Sequence, residues 1–204
     1  MNRLCLEADH KRKTKRVTIH PGEYYVSNTS VVISTLLGSC VAACLYDPVN
    51  RVVGMNHFLL SSERNIENIP VCATESGRYG VHAMELVING MLKLGAKREN
   101  LSAKAFGGGS LYQTHHGSGG FFRVGEVNSH FIFEFLKNDG IPIIAYDLGG
   151  NTGRMIRFSS DDFSVLVRRF RKSDTPSLLK KEKEVWLKSI KQEKQESVEP
   201  DLWT

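Results

Sequence analysis

Cys40 and His57 stand seventeen residues apart, each in an apolar run. A thiol with its usual pKa near ~8.5 holds little thiolate at neutral pH and is a weak nucleophile. An imidazole within reach takes the proton, stores it as imidazolium and later hands it to a leaving amine. Cys40 follows Leu37-Gly38-Ser39, and Gly38-Ser39 fits a tight bend that exposes the thiol. The backbone N–H groups of Gly38 and Ser39 in such a bend are candidate oxyanion donors. Ser34 or Thr35 offers a hydroxyl that accepts the other imidazole N–H and fixes the tautomer. A cysteine in an apolar strand is commonly a small buried hydrophobe. A core strand has no use for a Gly-Ser break, however, and the break favours the chemical reading.

Several elements must bring these residues together. The apolar runs that carry Cys40 and His57 are joined by Asp47-Pro48-Val49-Asn50. That reads as a hairpin, because Asp-Pro starts turns and Asn tolerates the left-handed conformation. Val17–Ile19 and Glu23–Ser27 read as short strands around Pro21-Gly22. Residues 77–94 read as a helix whose apolar face is Tyr79, Ala83, Leu86, Val87, Gly90, Met91 and Leu94. Glu75 and Ser76 serve its amino end, and Gly95 is its stop. A strand over 101–106, a helix from 127 or 128 to 138 ended by Gly140, and a strand over 141–148 follow. Arg154–Phe158 and Phe163–Phe170 read as a closing hairpin. Strands in pairs with two inner helices predict an α+β fold rather than a Rossmann-type parallel sheet.

Two glycine-rich stretches and a polar loop border this frame. Gly107, Gly108 and Gly109 lack the spacing of a phosphate cradle and are read as lining a substrate groove. His115 and His116 sit in a Gly-rich segment and are read as a surface loop rather than metal ligands. Residues 61–74 read as a loop beside the site.

The chain has 204 residues, 41% hydrophobic and 24% charged, which fits one soluble domain. No apolar run reaches a membrane span, the first ten residues lack a signal-peptide core, and the expected location is the cytoplasm. The net charge of +5 owes much to the run Lys11–Arg16. Residues 1–15 are read as a flexible basic terminus, 16–170 as the domain, and 171–204 as a charged tail. In that tail Leu178, Leu179, Val185, Trp186, Leu187 and Ile190 suggest an amphipathic helix over about 177–195. No groove-reading motif points to nucleic acid. Cys40 and Cys44 have a C-x-x-x-C spacing without the pairing of a zinc site, so no metal is expected and Cys44 is read as core.

The stretch Thr35-Leu-Leu-Gly-Ser-Cys-Val-Ala-Ala-Cys-Leu-Tyr-Asp-Pro, with Gly54-Met-Asn-His-Phe-Leu-Leu, resembles the CheD-type chemoreceptor glutamine deamidases of bacterial chemotaxis. The resemblance runs on through Arg78-Tyr79-Gly80, Ala103–Gly109 and Asp147-Leu-Gly-Gly-Asn-Thr-Gly-Arg154, covering roughly residues 20 to 170. It implies Cys40 as nucleophile, His57 as its acid–base partner, and no cofactor. It places a third catalytic hydroxyl six residues before the cysteine, where this chain has Ser34 in place of the usual Thr. Ser34→Ala is therefore expected to cost more turnover than Thr35→Ala. It implies a layered sandwich with β-sheets as the core and helices outside, and makes residues 61–74 a candidate lid. The usual Gly-Glu-Arg-Asn segment is Gly125-Glu-Val-Asn128 here. The implied partners are the cytoplasmic domains of chemoreceptors and a CheC-type phosphatase competing for the same face, with no nucleic acid and no membrane insertion. Two other readings share these residues: a non-catalytic adaptor, and another Cys–His hydrolase or transglutaminase-like enzyme.

Overall fold

The burial of two strands decides the layering. In β4 (Val31–Leu37), residues 31, 33, 35 and 37 are buried while 32, 34 and 36 are partly exposed. That alternation marks a sheet with one covered face. In β5 (Val41–Asp47), every residue but Tyr46 is buried, as in a strand covered on both faces. The chain passes from the first kind of strand to the second across Gly38-Ser39-Cys40.

This computed structural model describes residues 5–8, 14–60, 72, 74–110 and 124–170. The described strands form two five-stranded sheets. The first has the order β1 (Cys5–Ala8), β2 (Lys15–Thr18), β4, β9 (Arg154–Ser159), β10 (Val165–Arg169). The second has the order β3 (Tyr24–Ser27), β6 (Val52–Asn56), β5, β7 (Ser102–Gly107), β8 (Ile143–Leu148). Most neighbours are antiparallel; β2 runs parallel to β4, and β7 parallel to β8. Helices α1 (Glu75–Lys93) and α2 (Val124–Asn138) cover the outer face of the second sheet.

Two apolar cores result. One lies between the sheets and holds Ile33, Leu37, Cys40, Ala42, Cys44, Met55, Leu59 and Phe158. The other lies under the helices and holds Val41, Ala43, Leu45, Phe58, Met84, Val87, Met91 and Phe131. Successive residues of β5 alternate between them, which is why its sequence is apolar without a break. The α+β class and the sandwich with outer helices are as the sequence implies. Among the described residues, no helix is long and apolar enough to cross a membrane.

Several local readings are corrected. Cys5–Ala8 pairs with Lys15–Thr18 as an antiparallel strand, so strand structure begins inside the segment read as a flexible terminus. The β5–β6 turn has its left-handed residue at Arg51 (φ 57°), not at Asn50. Asn50 is tied by its backbone N–H and its side-chain amide to the Asp47 carboxylate. The amino end of α1 is capped by Thr74, whose side chain accepts from the Gly77 N–H, rather than by Glu75 or Ser76. The buried face of α1 is Gly80, Met84, Val87, Ile88 and Met91, while Tyr79 and Leu86 of the expected face are 44% and 38% exposed. Gly80 belongs to that face because a Cβ there would stand 2.6 Å from the Phe131 ring. Gly95 (φ 97°) and Gly140 (φ 69°) end the two helices as read. The lid candidate (apart from Cys72 and Thr74), the His115-His116 loop and the carboxy-terminal helix lie outside the described residues.

Candidate active site

His57 follows β6 and is held by its backbone before its ring is considered. Its N–H donates to the Glu23 carbonyl (3.0 Å), and its carbonyl accepts from Gly22 (2.8 Å) in the Pro21-Gly22 turn. Gly22 sits at φ 84°, a conformation that turn needs and few side chains tolerate. One residue on, Phe58 exchanges two backbone hydrogen bonds with Val41, at 3.0 and 2.9 Å. In this antiparallel register Cys40 lies opposite Leu59, and His57 opposite Ala42. Cys40 and His57 are therefore diagonal neighbours on one face, about 7–8 Å apart at the backbone and closer at the side chains. That face looks into the space between the sheets.

The ring is oriented from the opposite sheet. Thr35, on the inward face of β4, places Oγ1 2.8 Å from His57 Nδ1. The same hydroxyl donates to the Ile19 carbonyl at 2.7 Å. A hydroxyl has one proton, and a carbonyl only accepts. Thr35 must therefore accept from Nδ1–H, which leaves the lone pair on Nε2. That Nε2 is buried and has no hydrogen-bond partner. Buried polar atoms are nearly always paired, so an orphan facing the same space as a thiol marks a chemical task. Burial, with the charge of His20 adding to it, holds this imidazole far below its ordinary range, at about 3. His57 is thus a neutral base at neutral pH.

Ser34 does not fill the role implied for it. Its hydroxyl bonds Thr18 Oγ1 (3.0 Å) and the Val17 carbonyl (3.3 Å) on the other face of the sheet. The reason is strand period: Thr35 is in phase with the inward Val31, Ile33 and Leu37, and Ser34 is not. The phase of those apolar residues is the sequence signal that singles out Thr35. Counting back a fixed number of residues from the cysteine misses it.

The bend that carries Cys40 is held at three successive carbonyls. Gly38 accepts from the Gly109 N–H (2.7 Å), and Cys40 from the Gly108 N–H (2.8 Å). Ser39, between them, accepts from the side-chain amide of Asn128 in α2 (3.0 Å). Gly107–Gly109, read as lining a substrate groove, are thus built into the bend itself. A Cβ at Gly107 would lie 2.1 Å from the Cys40 carbonyl oxygen, and one at Gly108 2.0 Å from Ser129 Oγ. Gly109 Cα is likewise close-packed, within 3.1 Å of the Gly38 oxygen at the Cβ position. The glycine run is required by close backbone approach.

Behind it stands Arg154, 1% exposed. Its guanidinium bonds the Asp147 carboxylate and carbonyl and the Gly149 and Thr152 carbonyls, fixing the turn between β8 and β9. Gly149 N–H in turn donates to Gly107 (2.9 Å), and Gly150 accepts from Ser110 (2.7 Å). Cys40 is itself 0% exposed in the inter-sheet core, so the bend does not bring the thiol to the surface; what sets it apart from Cys44 and Cys72 is the Gly38-Ser39 bend before it. Cys44 is fully buried in the inter-sheet core as read, and burial drives its pKa up. Cys72 is pushed up to about 12 by burial and by Glu134.

A two-sheet α+β protein with a bend-borne cysteine, a neutral buried histidine and a threonine that sets its tautomer is the class defined by this fold and site. The comparisons are narrower. The family described as CheD chemotactic sensory transduction matches residues 62–169. A probable chemoreceptor glutamine deamidase CheD 1 of Geobacter sulfurreducens is 49% identical over 196 residues, 95% of this chain and 98% of its own. A probable chemoreceptor glutamine deamidase CheD of Agrobacterium fabrum is 51% identical over 145 residues, 71% of this chain and 74% of its own. A probable chemoreceptor glutamine deamidase CheD 2 of Shewanella oneidensis is 47% identical over 155 residues, 73% and 74% of the two chains. The chain belongs to the CheD family. The family match begins after His57, but an alignment of 196 residues in a chain of 204 spans the segment from Val31 to Leu60.

Proposed function

We propose that this chain is a protein-glutamine deamidase acting on chemoreceptors, with Cys40, His57 and Thr35 as its reacting group. The observation that carries the mechanism is the tautomer: Nδ1–H committed to Thr35, Nε2 bare and buried on the face shared with Cys40. Kinship with chemoreceptor glutamine deamidases supplies the substrate class.

His57 Nε2 takes the thiol proton as Cys40 Sγ bonds the side-chain amide carbon of a receptor glutamine. The carbonyl electron pair moves to oxygen, and backbone donors of the Gly38–Cys40 bend face that oxyanion. The C–N bond then breaks as the imidazolium gives its proton to nitrogen, so that ammonia leaves and a thioester remains. Water, deprotonated by Nε2, adds to the thioester. The C–S bond breaks, the thiol regains its proton, and glutamate is released. Burial that disfavours a lone imidazolium makes that ion dependent on the negative charge beside it. The proton is therefore held only while thiolate or oxyanion is present. A CheC-type phosphatase is the further partner of this reading and would compete with receptor for the same face.

The orienting hydroxyl gives a discriminating test. Thr35→Val keeps the shape and removes the oxygen, leaving Nδ1–H and the Ile19 carbonyl unpaired. Its ammonia release from receptor fragments is expected to fall at least ~10-fold, in the range of a weakened acid–base group. Thr35→Ser is expected to retain most activity. Ser34→Ala, on the outer face, is expected to stay within ~2-fold of the parent, as surface changes away from special features do. A fully active Thr35→Val, with folding checked by circular dichroism, removes Thr35 from the group.

A further inference from the structure

Asn128 takes no part in the reacting group described above. It is wholly buried in the second turn of α2, and its amide is used at both ends. Nδ2 donates to the Ser39 carbonyl at 3.0 Å, and Oδ1 accepts from the Leu60 N–H at 2.8 Å. One side chain thus joins the peptide immediately before the nucleophile to the chain just beyond His57. In a planar trans peptide the carbonyl and the N–H point in opposite directions. Fixing the Ser39 carbonyl therefore fixes the direction of the Cys40 N–H. The carbonyls on either side are held by backbone donors, from Gly109 and Gly108.

We propose that Asn128 is a positioning residue for deamidation: it aims the Cys40 N–H at the oxygen that becomes negative, and keeps that peptide in register with the histidine segment. The proposal rests on the thioester mechanism above. An amide suits the task because it offers a donor and an acceptor in one rigid group, whereas an ionised carboxylate offers acceptors only. Asn128→Asp keeps an acceptor for Leu60 and turns an oxygen on the Ser39 carbonyl. It removes one arm and spares the other.

The test compares two reactions of the same thiol in the full chain. Ammonia release from a receptor cytoplasmic fragment passes through an oxyanion. Alkylation of Cys40 by iodoacetamide uses the thiol and its base but forms no oxyanion. For Asn128→Asp and Asn128→Ala, kcat is expected to drop on the order of 10²-fold, the scale for loss of one oxyanion donor. In Asn128→Asp, which keeps the Leu60 bond and with it the register of the histidine segment, KM and the alkylation rate are expected to stay within about threefold of the parent. Should the Ala variant not fold, the Asp variant, which keeps the Leu60 bond, carries the test. Unchanged kcat in a folded variant overturns the proposal. So does a fall of kcat and alkylation by one common factor, which is what a merely structural asparagine gives. A parent chain that alkylates normally and releases no ammonia defeats the deamidase reading itself, and the proposal with it.

Discussion

Cys40→Ala is expected to fold, to bind receptor and to release no ammonia. The substitution removes one sulfur from a buried site, a loss of about 1 kcal/mol on the scale of deleting one small buried group. The bend survives because its three carbonyls are held by Gly109, Asn128 and Gly108, none of which touches the sulfur of residue 40 through these bonds. Neither Cys44 nor Cys72 substitutes for it. Cys44 lies in the middle of β5 with no bend before it and its thiol driven up by burial, and Cys72 lies at the amino end of α1 beside Glu134. The measurement is steady-state ammonia release with receptor fragment, with binding followed in parallel. Parental turnover by this variant would remove covalent catalysis from the account.

His57→Gln is expected to lower turnover by ~10²–10⁴-fold, the span of a positioned acid–base group. Gln keeps a donor for Thr35 but takes no proton. Alkylation of Cys40 near neutral pH should slow as well, since the bare Nε2 is the base that generates thiolate. The same variant carries a pH signature. The folded-state pKa of His57 is about 3 against an ordinary 6.5. Between those values the unfolded chain binds a proton that the folded chain refuses. Stability due to this group is full above pH 6.5 and is lost as pH falls, at about 1.4 kcal/mol per pH unit. The Gln variant has no such group. Its chemical-denaturation midpoint should fall less steeply than the parent's between pH 6.5 and 4.5. Equal acid limbs would mean that the imidazole is not buried in its neutral form.

The sequence carried the fold class and put Cys40 and His57 on neighbouring runs, for identifiable reasons. The Gly38-Ser39 break before Cys40 is visible because no apolar strand needs it. The β5–β6 hairpin is visible because Asp47-Pro48 interrupts two apolar runs. The second sheet's central strand is legible as a continuous apolar run once both of its faces are covered.

What stayed hidden depends on partners far apart in the chain. Ser34 and Thr35 are chemically equivalent in sequence. The phase of the apolar residues of β4 already favours Thr35; the Ile19 carbonyl that takes its proton shows only in the fold. The face of α1 shifted because Phe131 and the second sheet, not helical period alone, choose which residues are covered. Gly80 reads as a helix weakness until the Phe131 ring is placed against it. The Gly107–Gly109 run reads in sequence as the border of a substrate groove. Its cause, the carbonyls of Gly38 and Cys40, lies nearly seventy residues earlier. Asn128 closes the segment that resembles the family's Gly-Glu-Arg-Asn, but nothing near it in the chain shows what it holds, since both of its partners belong to other elements.

The most direct test of the central claim is mass spectrometry of chemoreceptor cytoplasmic fragments incubated with the parent chain and with the Cys40→Ala variant. The account predicts that particular glutamine side chains gain the mass difference between amide and acid, with ammonia released in equal amount, and only with the parent chain. Fragments left unmodified by a folded parent whose Cys40 alkylates normally, or modified equally by the Cys40→Ala variant, would contradict it.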